Sequence, residues 1–361
     1  MIISDIGFPL INGVANFYAN RLPTGGTEML EVMGPDEFAV PINGSAYTDN
    51  VAKIAIDGAI EFAKILGLTV PSDFAIKAEA LQIKTAPVPP GSNLTGMYHP
   101  EYDGYPNKKG GALVKQADTV MLRYPFGVEM DSVRFILKYI AEYSTILMLY
   151  YIISFSSFLS SLSLMLSLPS SLSQATLEND LKWYEPHTDV NGPAMTWSIF
   201  AIGWFDTGDY VRSRELFQKG FQRNVHPPFN VWTETLDGGC TPFLTGAGGF
   251  LQSVVFGTSG MRLLSDRITF NPPPPSATGG TATSISMRFN YQRAMLYQTV
   301  TQDTVEFGVL LLRVPGEGTG EAAPPATALV LVKADGSKVP LVAGKGITVP
   351  RTGGLAIMVA T

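Results

Sequence analysis

Cysteine, histidine and charged residues are scarce in this chain of 361 residues, which has one cysteine, three histidines and 16% charged residues. The single thiol, Cys240, cannot form an internal disulfide, and this favours a reducing compartment. Zinc sites need several Cys or His ligands at short spacing, which His99, His187 and His226 do not have. We therefore expect no metal, no cofactor and a cytoplasmic location.

Basic charge is also in short supply. Lysine and arginine number 25 against 31 aspartate and glutamate residues, so the net charge is -6. Nucleic-acid binding needs a basic face, and we expect no nucleic-acid partner. We expect no secretory leader at the start of the sequence, because Asp5 interrupts its apolar opening. Sequons at Asn43 and Asn93 keep a secreted or vacuolar location as the alternative. The sequence also lacks a glycine-rich phosphate loop and a Gly-x-Ser-x-Gly nucleophile elbow.

The hydrophobic pattern predicts helices first and strands afterwards. Within residues 46–67 apolar residues recur at steps of three and four, and Gly67 is suited to end that helix. Further helices are expected in residues 6–20, 73–83, 193–224 and 243–257. After residue 260 short alternating segments predict strands, with a hairpin turn at Asp335-Gly336. Helices followed by a run of strands favour two domains, residues 1–260 and 261–361.

Residues 135–176 differ from the rest of the chain. No residue from Ser144 to Thr176 is charged, and serine and leucine dominate the segment. Three interpretations compete: an insert foreign to the fold, such as a translated intron; a genuine insertion; and a membrane span, for which residues 146–165 are long enough. The foreign insert is favoured, because a span here would divide a catalytic domain, and we expect no membrane partner.

The segment Gly34-Pro35-Asp36-Glu37-Phe38 is the first candidate for catalysis. Its Gly-Pro pair restricts the backbone, and two carboxylates follow. A general acid has to be held in place with a raised pKa, which a rigid loop beside apolar groups can provide. The alternative is a solvated turn before the helix at Ala46, and the local pattern alone favours it.

The segment Val231-Trp232-Thr233-Glu234 is the second candidate. An aromatic face can stack on a sugar ring while a neighbouring carboxylate works beside it. The alternative is a buried tryptophan next to an exposed glutamate, and this is again favoured locally.

Two polar stretches supply further candidate contacts to a sugar. Lys115 and Gln116 offer donors and acceptors for hydroxyl groups, although a surface helix start explains them equally well. Glu185 and His187 lie in a turn-rich stretch, where Glu185 is an alternative base. A lone histidine is more often structural than catalytic.

Together these motifs resemble glycoside hydrolase family 65. The Gly34–Glu37 segment is followed by Asn43-Gly44-Ser45-Ala46-Tyr47-Thr48-Asp49-Asn50, and the likeness covers nearly all of residues 1–270 apart from the insert. Supporting stretches are His99–Tyr105, Lys115–Asp118, Tyr184–Pro186, Asn191–Trp197 and Phe243–Gln252. Within the family the chain is most similar to the acid-trehalase-like group, which includes the glucosidase acting on glucosylgalactosyl-hydroxylysine of collagen.

The resemblance implies a mainly α protein. Residues 1–260 would form part of an α/α barrel, the six-hairpin toroid, and residues 261–361 a C-terminal β-sandwich. It also implies that Glu37 is the general acid, Glu234 the general base, and that Lys115 and Gln116 hold glucose in the cleavage subsite. The further candidates for substrate binding are Asp36, Trp232, Glu185 and His187.

The expected reaction is inverting hydrolysis of an α-linked glucosyl residue from a small carbohydrate or a glycosylated peptide. Glucosylgalactosyl-hydroxylysine is the substrate that the resemblance implies, and a trehalase or a disaccharide phosphorylase is the alternative. Phosphorylases of the family carry a His- and Ser-rich phosphate site. Here Glu185 and Asp189 stand in the matching region, and their charges would repel phosphate, which favours hydrolysis.

The chain also departs from the family pattern. The N-terminal β-sandwich of the family has no counterpart here, nor does the first part of its barrel, including a Trp-Asp-rich stretch that grips glucose. We therefore expect Met1 to be an internal methionine of a longer protein. An inactive truncated fragment is a further alternative, because half a barrel cannot close its core.

Overall fold

The computed structural model describes residues 3–106, 111–128, 170–264, 266–292, 294–312 and 328–360. The chain divides into two compact units, Met1–Val190 and Asn191–Thr361.

The first unit is built mainly from helices. A π-helical turn, Ile3–Gly7, leads into the first helix, and a 3-10 turn, Thr119–Leu122, precedes the last. The α-helices are α1 (Phe8–Arg21), α2 (Ala46–Leu66), α3 (Phe74–Ala80) and α4 (Ser170–His187). A short antiparallel ribbon joins β1 (Ala86–Pro87) to β2 (Met97–Tyr98).

Helix α2 has clear start and stop signals in the sequence. The Ser45 side chain accepts a hydrogen bond from the backbone N–H of Thr48 at 3.2 Å, which satisfies one of the free donors of the first turn. Gly67 ends the helix with φ of 66°, a left-handed conformation that glycine adopts without strain. The absence of a side chain at Gly58 lets α1 approach α2 closely, since a Cβ on Gly58 would lie 3.0 Å from Ile11 Cδ1.

The core of the first unit lies between α1, α2 and α3. On α1 and α2 the buried core residues are mostly alanines. Larger side chains come chiefly from the connecting segments and from α3. The buried residues of this core are Ala15, Ala19, Leu22, Met29, Ala52, Ile56, Ala59, Phe74, Ala78 and Leu81.

The second unit begins with a pair of helices. They are α5 (Met195–Thr207) and α6 (Tyr210–Gln222), followed by a ribbon of β3 (Val225–His226) and β4 (Val231–Trp232), and then α7 (Leu244–Gln252). Asp209 caps α6 by accepting a hydrogen bond from the Arg212 N–H at 3.0 Å. Helix α5 is buried along most of its length, as its nearly continuous apolar sequence requires.

Two antiparallel sheets complete the second unit. The nine strands are β5 (Met261–Leu263), β6 (Arg267–Phe270), β7 (Ser284–Tyr291), β8 (Ala294–Thr301), β9 (Thr304–Leu312), β10 (Leu329–Val332), β11 (Lys338–Pro340), β12 (Gly346–Pro350) and β13 (Leu355–Val359). One sheet has the order β11-β10-β13-β6-β5 and the other β12-β9-β8-β7. Their inner faces meet where the Phe270 ring lies 4.8 Å from Phe307 and 5.8 Å from Phe289, as in a sandwich.

Most predicted elements are present. The helices expected in residues 6–20, 46–67, 193–224 and 243–257 are confirmed, as are the strands beyond residue 260 and the turn at Asp335-Gly336. The helix expected in residues 73–83 is shorter, because Leu81 takes an extended conformation. The predicted boundary at residue 260 follows the change in secondary structure, whereas the compact units part at Val190.

The predicted insert, residues 135–176, lies outside the described residues up to position 169. Its last residues, from Ser170 onward, belong to α4. Within the described ranges no helix combines the length and the apolar character needed to cross a bilayer.

Candidate active site

The Gly34–Phe38 loop is held by the Asp36 side chain. Asp36 is 1% exposed, and its Oδ1 accepts hydrogen bonds from the backbone N–H of Lys115 at 2.7 Å and of Phe38 at 3.1 Å. One carboxylate therefore ties the loop to itself and to a segment far along the chain. This arrangement fixes the backbone on both sides of Glu37.

Glu37 projects from this loop and meets two donors. Its Oε2 accepts from Lys115 Nζ at 2.8 Å, and its Oε1 accepts from Gln116 Nε2 at 3.2 Å. The Glu37 side chain is 50% exposed. The hydrogen bond from Lys115, then the one from Gln116, lowers the pKa of Glu37 below its ordinary value. A general acid needs a raised pKa, so the sequence argument from apolar surroundings does not describe Glu37 in this state.

Asp118 packs beneath the same loop. A Cβ on Gly34 would lie 2.5 Å from Asp118 Oδ2, so only glycine fits at that position. Asp118 is 1% exposed and accepts hydrogen bonds from the Thr119 hydroxyl at 3.3 Å and from the backbone of Asp36. Burial raises the pKa of Asp118, and the neighbouring Asp36 charge adds to the rise.

Glu101 lies beside Asp36 and Asp118, also 1% exposed. Its backbone O accepts from the Ala46 N–H at 3.0 Å, which draws the His99–Tyr105 segment against the start of α2. Burial raises the pKa of Glu101 far above its usual range, and the charges of Asp118 and Asp36 add to the effect. Glu101 belongs to the stretch His99–Tyr105, which supported the family resemblance, but it was not among the predicted site residues.

A buried histidine anchors the same segment. His99 Nδ1 lies 2.7 Å from Asp180 Oδ2, and the His99 backbone N–H donates to Asp180 Oδ1 at 2.8 Å. Both residues are at most 2% exposed. His99 is therefore a structural contact between the segment and α4.

The end of α4 brings Glu185 and His187 to the segment that carries Lys115. The backbone N–H of Val114 donates to the His187 carbonyl at 2.9 Å, and Asp189 N–H donates to Val114 at 2.8 Å. Glu185 is buried. His187 Nδ1 bonds to the Trp183 carbonyl at 2.6 Å, and its ring stacks on Trp183 at 4.1 Å, a structural arrangement for this histidine.

Glu234 and Trp232 belong to the second unit. Glu234 Oε2 accepts from the Cys240 N–H at 3.0 Å, and its backbone is tied to Ala194 at 3.0 Å. The Trp232 ring packs against Phe250 at 5.8 Å, so part of its surface serves the core. The Trp232 side chain as a whole is half-buried.

The first unit thus joins four of the predicted site residues directly, namely Asp36, Glu37, Lys115 and Gln116. His187 is linked to them through Val114, and Glu185 lies two residues before His187 at the end of α4. Within the described residues no group of three or more His, Cys, Asp or Glu side chains has an arrangement that could hold a metal ion. The sequence did not predict that the carboxyl groups of Asp36, Glu101 and Asp118 are buried close together. Its one hint of this is Glu101, a glutamate among tyrosines in a polar stretch.

The first unit is a helical region with a carboxylate carried on a fixed loop, and comparison with known families shows the class of protein to which the chain belongs. The profile described as "Glycosyl hydrolase family 65 central catalytic domain" matches residues 1–238. The chain belongs to glycosyl hydrolase family 65, which confirms the resemblance found in its motifs.

Two relatives show the range of names within the family. A protein-glucosylgalactosylhydroxylysine glucosidase of Danio rerio is 30% identical over 343 residues, which are 89% of this chain and 44% of the relative. A kojibiose hydrolase of Flavobacterium johnsoniae is 28% identical over 72% of this chain and 31% of its own length. The chain therefore spans less than half the length of these curated relatives.

A solved structure shares the fold. It is assigned to a kojibiose phosphorylase from the human microbiome, with a TM-score of 0.59 and 14% identity, and the match covers 98% of this chain and 47% of the other. The combination of helices with a sheet region is therefore confirmed as a fold already known in carbohydrate-active proteins.

Proposed function

We propose that this chain is the catalytic part of a glycoside hydrolase that removes an α-linked glucosyl residue with inversion of configuration. Its helices would belong to an α/α barrel, and Glu37 would be the general acid. The observation that carries the proposal is the placement of Glu37 between Lys115 and Gln116, on a loop that Asp36 fixes.

The lowered pKa of Glu37 fits this role if substrate changes its surroundings. Lys115 and Gln116 are the residues proposed to hold glucose, so a bound sugar competes with Glu37 for their donors. The sugar also excludes water from the carboxyl group. Loss of these hydrogen bonds and loss of solvent both raise the pKa of a carboxyl group. Glu37 would then hold a proton in the complex and give it to the glycosidic oxygen.

Glu234 is the proposed general base. In an inverting hydrolase the base activates a water on the opposite face of the ring, and the two carboxyl groups stand about 6.5–9.5 Å apart. The hydrogen bond from the Cys240 N–H orients one oxygen of Glu234 and leaves the other for a water. Trp232, two residues earlier, offers a half-buried aromatic surface for a sugar ring.

The substrate class follows from the relatives as a proposal. Their names specify a glucosidase of glucosylgalactosylhydroxylysine and a kojibiose hydrolase. We infer a glucosyl disaccharide unit, free or attached to a peptide, with Lys115, Gln116, Asp36, Glu185 and His187 in or beside the glucose subsite. The cytoplasmic location stays a prediction.

The test is to incubate the chain with glucosylgalactosyl-hydroxylysine, kojibiose and trehalose, each with and without inorganic phosphate. We expect glucose whose initial anomer is inverted, with no dependence on phosphate. Glu37→Gln and Glu234→Gln should each lower kcat by at least about a hundredfold. The matched control is Glu79→Gln, an exposed glutamate of α3.

Each outcome decides between the candidates. Glucose phosphate formed only with phosphate would make the protein a phosphorylase, and activity on trehalose alone would make it a trehalase. Absence of any product would support an inactive fragment. Full activity of Glu234→Gln would remove Glu234 from the mechanism, with Glu185 the next base to replace.

A further inference from the structure

Three carboxyl groups are buried together under the loop that carries Glu37. Asp36, Glu101 and Asp118 are each 1% exposed. Among the described residues no donor reaches Asp36 Oδ2, Asp118 Oδ2 or either carboxyl oxygen of Glu101. Asp36 lies near enough to Glu101 to raise the pKa of Glu101, after burial and the charge of Asp118, both as a charge and as a hydrogen-bonding group. Two carboxyl groups can form a hydrogen bond with each other only when one of them carries a proton.

A proton is the simplest way to make this cluster stable. Burying an ionised carboxylate without a compensating charge or hydrogen bond is strongly unfavourable, more so than burying a neutral polar group. Within the described residues these groups do not have the arrangement of a metal site. Asp36 and Asp118 already accept hydrogen bonds from backbone N–H groups, whereas Glu101 accepts none through its side chain. Glu101 is therefore the member best suited to be neutral.

Among the described residues, no positively charged group is one of the causes that shift the pKa of Glu101. Of the groups that interact with Glu101, two are carboxyl groups, and the others are tyrosines whose pKa burial raises, so that they stay neutral. These groups are Asp36, Asp118, Tyr102, Tyr105 and Tyr184.

We propose that Glu101 is a positioning residue, which as a neutral acid donates a hydrogen bond to Asp36 and thereby holds the Glu37 loop in its working shape. Asp36 then uses both oxygens: Oδ1 binds the N–H groups of Lys115 and Phe38, and Oδ2 receives the proton of Glu101. The inference rests on the proposed role of Glu37 as general acid, but the proton itself is testable without any activity.

Ionisation of Glu101 would set two carboxylates against each other and displace Asp36. In the unfolded chain Glu101 regains its ordinary pKa of 4.5, while the folded state keeps a raised one. The stability that Glu101 contributes is therefore complete below the ordinary pKa and declines as pH rises above it. Each pH unit in this window lowers the folding equilibrium constant by about tenfold, because the native state alone retains the proton.

The experiment compares Glu101→Gln, Glu101→Ala and the exposed control Glu79→Gln in the full chain. Glutamine keeps the size and the donor of a protonated glutamate but cannot ionise. Relative to wild type, Glu101→Gln should gain about tenfold in the folding equilibrium constant per pH unit between about pH 5 and 8. Infrared spectra should lose the carbonyl band of one protonated carboxylic acid at neutral pH. Glu79→Gln should show neither effect.

Activity separates positioning from mere packing. Glu101→Ala should lower kcat at least about tenfold with little change in KM, and Glu101→Gln should restore most of the loss. A pH-independent stability difference together with an unchanged infrared band would overturn the proposal. Equal kcat in the alanine and wild-type proteins would also overturn it. If the wild-type chain forms no product, the proposed function fails, whereas the stability and infrared results still decide the state of Glu101.

Discussion

Asp36 and Glu37 are adjacent, yet their side chains serve different purposes. Asp36 is buried and bonded to backbone N–H groups, so it acts on the shape of the loop. Glu37 is half-exposed and bonded to the side chains of Lys115 and Gln116. Neighbouring carboxylates thus take separate roles because the loop turns one inward and the other outward. Asp36 therefore fixes the loop, whereas Glu37 is the residue proposed as the general acid.

The pKa of Glu37 should depend on Lys115. Lys115→Met removes the hydrogen-bond donor and the charge at Glu37 Oε2, so the pKa of Glu37 should rise toward its ordinary value. NMR titration of carbon-13-labelled glutamate carboxyl groups measures the change. Lys84→Met is the control, because Lys84 pairs with Glu28 and Asp103 instead. An unchanged Glu37 titration in Lys115→Met would show that the ion pair does not form in solution.

At the scale of elements, replacing each of two glycines with left-handed backbones by alanine should lower the free energy of unfolding by different amounts. Gly67, at the end of α2, has φ of 66° and open space around a Cβ, whereas Gly260 has φ of 60° and a Cβ there would lie 2.1 Å from the Asn271 backbone. Gly67→Ala should cost about 1 kcal/mol from conformation alone. Gly260→Ala should cost at least about 2 kcal/mol more, because the Asn271 backbone must move.

Urea unfolding, analysed with a common m-value, measures the free energy of unfolding of both glycine variants. Equal costs would mean that the backbone near Asn271 yields without resistance.

The elements that the sequence predicted carry their signals locally. Helix α2 has an apolar stripe, Ser45 at its start and Gly67 at its end, and β6, β7 and β9 alternate as strands do. Helix α3 is shorter than predicted. The local pattern allowed a helix through residue 83, but the helix ends at Ala80, where Leu81 takes an extended conformation and packs in the core.

The candidate site was only partly predictable. Glu37, Lys115 and Gln116 came from motifs, and the structure brings them together. The burial of Glu101 was not predictable, because it depends on Asp180 drawing His99 inward and on Ala46 bonding to Glu101, contacts that join distant parts of the chain. No local pattern encodes such contacts.

At the scale of the whole molecule, the division into two compact units should appear in local unfolding. Phe270→Leu loosens the contact between the two sheets of the second unit, and Phe74→Leu loosens the core of the first. Each should cost about 1 kcal/mol and accelerate backbone hydrogen exchange mainly within its own unit. Exchange measured peptide by peptide gives the result. Equal acceleration in both units for either variant would show that they unfold together.

The bonds made by Asp36 have a practical consequence for trapping a substrate. Because residue 36 defines the course of the loop, shortening or neutralising the side chain at residue 37 should leave the backbone where it is. A protein altered only at Glu37 would then keep the shape of the loop while lacking the proposed general acid. Soaking such crystals with an intact disaccharide would show whether a sugar binds at the proposed subsite and which of its hydroxyl groups are contacted.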